Sequence, residues 1–137
     1  MTIEEKRKLA NYGDAAAQSN LGSSYYCGIG GVTKNEKEAV RYYKLAADQG
    51  KADAQFDLGL CYDGGTGVTK DEKEAVRLYK LAADQGYASA QFNLGTCYEN
   101  GTGVAKDEKE AVRLYKLAAD QGYALAQNNL RRLGVTK

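Results

Sequence analysis

The chain has 137 residues, three cysteines and neither histidine, proline nor tryptophan, and its 19 lysines and arginines against 18 aspartates and glutamates leave a net charge of +1. This near-neutral balance supplies no basic field for nucleic acid or an anionic membrane, and the lack of histidine excludes histidine-dependent triads and most catalytic zinc sites. No run of about 18 apolar residues could cross a bilayer, and Met1–Lys8 has no apolar signal-peptide core; a cytoplasmic location, without nucleic acid or membrane insertion, is expected.

Self-similarity organises everything that follows. Gly64–Gln91 and Asn100–Gln127 agree at 25 of 28 positions at an offset of 36, and Gly28–Gln55 is a looser copy with one extra residue at Gly30-Gly31. In chain order, Thr2 and Glu5 form a capping-box pattern that predicts a short helix ending at Gly13. In register it matches the second helix of a repeat, with Lys6 where a core tyrosine recurs, so 1–12 is read as an N-terminal cap. Three repeats follow over 13–49, 50–85 and 86–121, and 122–137 closes the array as a C-terminal capping helix. Arg131 there replaces a recurring glycine, as suits a helix with no neighbour beyond it; the whole reads as a complete, end-capped array.

Within each repeat the first helix, A, recurs as Ala17-Gln18-Leu21-Gly22-Tyr25, Ala54-Gln55-Leu58-Gly59-Tyr62 and Ala90-Gln91-Leu94-Gly95-Tyr98. At about 100° per residue these positions form one face. A glycine inside a helix costs about 1 kcal/mol against alanine, so its recurrence predicts a close approach by a second helix. Gln18, Gln55, Gln91 and Gln127 lie at the edge of that face, where structural hydrogen bonding is expected. The Gly-x-Gly segments at 28–30, 65–67 and 101–103 read as turns, since no strand precedes them and no Gly-Lys-Ser/Thr follows. Helix B then starts at Asn35, Asp71 or Asp107, each followed three residues later by Glu38, Glu74 or Glu110, a further capping-box pattern. It ends at Gly50, Gly86 or Gly122, because glycine accepts the left-handed conformation past a helix end. Most of the eleven tyrosines fall at core register in these helices.

These motifs, above all Ala-Gln-x-x-Leu-Gly-x-x-Tyr with the following Gly-x-Gly-Val and the Tyr-Lys-Leu-Ala-Ala-Asp-Gln-Gly of helix B, resemble the Sel-1-like repeat (SLR) family, a branch of the tetratricopeptide-like solenoids. The resemblance implies an all-α fold, a right-handed α-solenoid of antiparallel helix pairs with about eight helices, and a role as a scaffold or adaptor for protein assembly. Some cysteine-rich members of the family are assigned β-lactam binding or hydrolysis and bridge a cysteine pair within each repeat. Here no repeat holds that pair: Cys61 and Cys97 occupy equivalent sites in successive repeats, Ser24 fills the site in the first, and Cys27 stands elsewhere. Neighbouring helix axes lie about 8–10 Å apart, whereas a disulfide wants Cα atoms within about 7 Å, so three free thiols are predicted.

In tetratricopeptide-like stacks helix A lines the concave groove. The side of helix A opposite the recurring face carries Ala16, Ser19, Asn20 and Ser23 in the first copy, Asp53, Phe56, Asp57 and Leu60 in the second, and Ser89, Phe92, Asn93 and Thr96 in the third, continued by Leu125, Asn128, Asn129 and Arg132. The only two phenylalanines of the chain share one position in this column. Either each packs on an adjacent helix or they anchor a bound segment, with Asp53, Asp57, Asp63 and Glu99 as an acidic border that would favour nearby lysine or arginine on the partner. The expected function is therefore a non-enzymatic protein–protein interaction scaffold, monomeric or weakly self-associating, that holds a peptide or protein segment on its helix-A face without metal or cofactor. The alternatives are a β-lactamase-like enzyme, disfavoured by the absent cysteine pairs, and a structural, self-assembling or designed repeat module.

Overall fold

A computed structural model of the chain describes residues 1–135; the last two residues of the C-terminal cap expected over 122–137 lie outside the described residues. Among these residues there are eight helices and no strand: α1 (Ile3–Asn11), α2 (Ala15–Cys27), α3 (Glu36–Asp48), α4 (Ala52–Gly64), α5 (Glu72–Asp84), α6 (Ala88–Asn100), α7 (Glu108–Asp120) and α8 (Ala124–Arg132). Helix A of the repeats corresponds to α2, α4, α6 and α8, and helix B to α3, α5 and α7, with α1 in the B register as expected. The chain forms two compact units, the first spanning Met1–Asp71 and the second beginning at Glu72. In the first, α1 packs on α2, α2 on α3 and α3 on α4; in the second, α5 packs on α6, α6 on α7 and α7 on α8.

Each core is built from the recurring face. Leu21, Ala39, Tyr43, Ala46, Ala54 and Leu58 are buried in the first unit, and Leu94, Ala111, Tyr115, Ala118, Ala126 and Leu130 in the second. The recurring glutamines are the polar part of that core. Gln18 donates to the Ala10 carbonyl at 3.0 Å, and Gln55, Gln91 and Gln127 donate to the carbonyls of Ala47, Ala83 and Ala119 at 3.3–3.4 Å. Each bond ties helix A to the last turn of the preceding B-type helix, where the same carbonyl also accepts from the amide of Gly13, Gly50, Gly86 or Gly122 at 2.9–3.0 Å.

The helix starts differ from expectation in one respect. Asn35 and Asp107 cap as predicted, accepting from the amides of Glu38 and Glu110 at 3.1 Å, but the Glu38 and Glu110 side chains do not reach back. They pair with Arg41 and Arg113 one turn on, at 2.6–2.7 Å, and Glu74 pairs with Arg77 in the same way. The reason lies in the tertiary structure: the cap amides of Asn35, Asp71 and Asp107 already donate to the carbonyls of Tyr25, Tyr62 and Tyr98 at 2.8–2.9 Å. With that donor taken, a charge-assisted bond to arginine is the stronger use of the carboxylate. In α1 the full reciprocal box between Thr2 and Glu5 is present.

The Gly-x-Gly segments are packing devices. Gly67 and Gly103 have φ of +73°, and a Cβ there would stand 2.5 Å from the Glu36 carbonyl oxygen or 2.6 Å from that of Glu72. Each loop therefore rests its backbone directly on the first turn of the preceding B helix, which no other residue type would allow.

Candidate protein-interaction surface

The first unit places the expected column on two successive A helices, α2 and α4. Ser19 is buried, with its hydroxyl donating to Asp53 Oδ1 at 3.2 Å, so it joins the two helices and is closed to a partner. Asn20 is exposed, and Ser23 shares a hydrogen bond with the Tyr43 hydroxyl at 3.1 Å. On α4, Asp53 also lies 3.7 Å from the Lys51 ammonium, Phe56 and Asp57 are half-buried, and Leu60 is exposed. Ser23, Tyr26, Cys27, Tyr43, Asp57 and Leu60 enclose a cavity of about 250 Å³ open to solvent. Burial, and then the neighbouring Asp53 charge, push the Asp57 carboxyl up to about 6. Burial likewise raises the Tyr43 hydroxyl.

The second unit carries the same column on α6 and α8 but fills it differently. Ser89, Asn93 and Asn129 are half-buried and Asn128 is exposed. Phe92 packs its ring 5.7 Å from Tyr115 and 5.3 Å from Tyr123, so in this unit the aromatic is part of a packed cluster. Thr96 shares a hydrogen bond with the Tyr115 hydroxyl at 3.2 Å. That hydroxyl donates to Glu99 at 2.7 Å, and Arg132 reaches the same carboxylate at 2.7 Å. Burial alone would raise Glu99, but the hydrogen bonds from Tyr115 and Arg132 outweigh it and hold its carboxyl below the usual range. Glu99, expected on an open acidic border, is thus neutralised by the chain itself.

Three residues of the first-unit cavity escaped the sequence reading: Tyr26, Cys27 and Tyr43. A signal for two of them was present, because Tyr26 and Cys27 stand where the later copies have Asp63 and Gly64, or Glu99 and Asn100. Tyr43 occupies a recurring core position, and nothing in the sequence distinguishes the edge of its ring as a cavity wall. Cys27, Cys61 and Cys97 carry free thiols, the first exposed and the others buried. Among the described residues, no three histidine, cysteine, aspartate or glutamate side chains are grouped to hold a metal, and no helix is long and apolar enough to cross a membrane.

Comparison with known proteins matches this architecture to repeat proteins of one kind. The chain is similar to a Sel1 repeat protein from Oxalobacter formigenes, at 41% identity and a TM-score of 0.83 over 87% of this chain and 49% of that one. It is also similar to a protective antigen of uropathogenic Escherichia coli strains that displays an SLR fold, at 38% identity and a TM-score of 0.91 over 93% of this chain and 27% of that one. Cysteine rich protein B of Helicobacter pylori shares the fold, at 24% identity and a TM-score of 0.72, over 94% of this chain and 98% of that one. The chain spans about half the length of the Oxalobacter protein and about a quarter of the Escherichia antigen. No curated protein matches it. The fold is all-α and of the SLR solenoid class. With three consecutive Sel1 repeats matched over residues 15–51, 52–87 and 88–123, the chain belongs to the Sel1 repeat family.

Proposed function

We propose that the chain is a non-enzymatic interaction module that docks a peptide or protein segment on its helix-A face, in the first unit along α2 and α4. Sel1-repeat proteins are generally protein-interaction scaffolds, and the specific reading rests on one observation. The recurring side of α2 and α4 is consumed by the core, whereas the opposite side holds an open cavity rimmed by Tyr26 and Leu60, each 40% exposed, with a half-buried carboxylate inside. Exposed apolar side chains around a concave, partly charged site are what a bound segment would cover. The acidic residue favours a segment whose apolar anchors are flanked by lysine or arginine.

Peptide-display selection against the immobilised chain, run beside the Leu60→Asp variant, tests this reading. Leu60 is exposed, so the variant should fold normally. Peptides that pair apolar and basic residues should be enriched by the parent chain and lost with the variant. Equal enrichment by both chains would overturn the assignment of the face.

A further inference from the structure

We propose that the cavity between α2 and α4 is a seat for a single guanidinium group, an arginine side chain carried by the docked segment. The proposal rests on the reading of that face as a docking surface and adds the chemistry that would be recognised there. At about 250 Å³ the cavity falls below the range of about 300–1,000 Å³ that holds drug-sized ligands, so one side chain is the matching occupant. Its walls suit a flat cation: the exposed Tyr26, the apolar Leu60 and the Asp57 carboxylate, beside Tyr43, which is itself only 4% exposed. Asp57 makes no hydrogen bond or ion pair among the described residues. A single carboxylate is too few ligands for a divalent metal, which takes several oxygens.

The second unit shows how this fold fills the corresponding place. Arg132 stands 72 positions after Leu60 and 36 after Thr96, at the same repeat position. Its guanidinium covers Glu99 at 2.7 Å, and the hydroxyl of Tyr115, the counterpart of Tyr43, donates to the same carboxylate. There the chain supplies its own cation. In the first unit Leu60 replaces that arginine and Tyr26 replaces Glu99, while the carboxylate moves across the cavity to α4 as Asp57, where Asn129 stands in the second unit. The cavity, the tyrosine and an acid are kept, and the internal cation is missing. Burial that pushes the Asp57 carboxyl up to about 6 marks an anion that lacks compensation. Arginine fits better than lysine, because its plane stacks on aromatic rings and is less strongly hydrated than an ammonium. The chain itself uses this contact, with Arg41 lying 4.3 Å from the centre of the Tyr42 ring.

The test titrates three blocked pentapeptides into the isotope-labelled full chain and follows backbone amide shifts by NMR. Each peptide has two leucines flanking a central residue, which is arginine, lysine or the neutral isostere citrulline. The arginine peptide should shift the amides of Tyr26, Cys27, Asp57 and Leu60, and the citrulline peptide should bind about tenfold more weakly or worse, through loss of a charge-assisted pair. Asp57→Asn should abolish the preference for arginine over citrulline. Leu60→Arg, which places a guanidinium where the second unit has Arg132, should fill the cavity and remove the shifts with helix content unchanged. If the citrulline peptide shifts the same amides with equal affinity, the guanidinium seat is wrong and the docking face stands. If none of the three peptides perturbs those amides and display selection also yields no ligand for the face, both readings fall.

Discussion

A Cβ on Gly22 would stand 2.5 Å from Cδ1 of Tyr43, and one on Gly95 would stand 2.7 Å from Cε1 of Tyr115. The glycine of helix A is therefore the floor on which the tyrosine of helix B lies flat. Neither ring can retreat at low cost, because Tyr43 and Tyr115 are buried and their hydroxyls are bonded to Ser23 and Thr96. Gly22→Ala should thus destabilise the protein by about 1–3 kcal/mol, despite the gain in helix propensity, and Gly22→Leu by more. Thr66→Ala, in a turn, should change little. Equal urea midpoints for the Gly22 and Thr66 variants would refute the contact.

The glutamine at the edge of the core offers a second test. Gln18 is 4% exposed, donates to the Ala10 carbonyl and accepts from the Gln49 amide at 2.8 Å. Gln18→Ala removes both bonds while the Ala10 carbonyl keeps its 3.0 Å bond from the Gly13 amide, so it should cost about 0.5–1.5 kcal/mol. Gln127 is half-buried and makes the equivalent bond to Ala119 at 3.4 Å, so Gln127→Ala should cost less. Equal urea midpoints for the two variants and the parent would show that the bonds carry no weight.

What was legible in the sequence follows from what repeats. The helices, their glycine ends and the glycine–tyrosine contact each recur in register, so copies of one residue pattern report one local geometry. The capping boxes misled because Glu38 and Glu110 satisfy the local pattern, whereas their fate is decided by Tyr25 and Tyr98, which lie in another helix and take the cap amide. The candidate surface was only half legible for the same reason. A helical wheel places Ser19, Phe92 and Asp57 on one side of helix A, but it cannot show which of them a neighbour will cover. Ser19 is closed by Asp53 and Phe92 leans on two tyrosines, while Asp57 keeps an open cavity. Those outcomes depend on side-chain size at facing positions, which is a pairwise property that periodicity does not carry.

The three thiols should separate by reactivity. Cys27 is exposed at the end of α2, whereas Cys61 is 1% and Cys97 6% exposed. Burial, followed by the charges of Asp57 and Glu36, pushes the Cys61 thiol up to about 11, so little thiolate forms near pH 8. Ellman's reagent should therefore label one thiol rapidly and the other two at least about tenfold more slowly, through opening of the fold. Cys27→Ser should remove the fast phase alone. Three equal rates would contradict the buried placement of Cys61 and Cys97.

Asp57 should give stability a measurable pH dependence. The groups around it are Asp53 and Cys61 on α4, Tyr43 on α3, and Tyr26 and Cys27 on α2, none of them cationic at neutral pH. Its carboxyl titrates near 6 in the folded chain against an ordinary value of 3.8, with burial as the main cause and the Asp53 charge as the second. The folded chain thus holds a proton in the window between those values that the unfolded chain releases. Protonation of Asp57 favours folding fully below the lower value, and this contribution is lost as the pH rises through about 6. Asp57→Asn, which cannot ionise, should therefore be more stable than the parent at pH 7.5, by about 1–2 kcal/mol once solvent screening of the half-buried carboxylate is allowed for. At pH 4 the two proteins should differ little. Urea midpoints measured at pH 4, 6 and 7.5 decide the matter: an offset that stays constant across the three would mean that Asp57 does not ionise against burial. An arginine peptide seated in the cavity should reduce the offset at pH 7.5, because the guanidinium removes the penalty on the parent's charge and gains nothing from the amide of the variant.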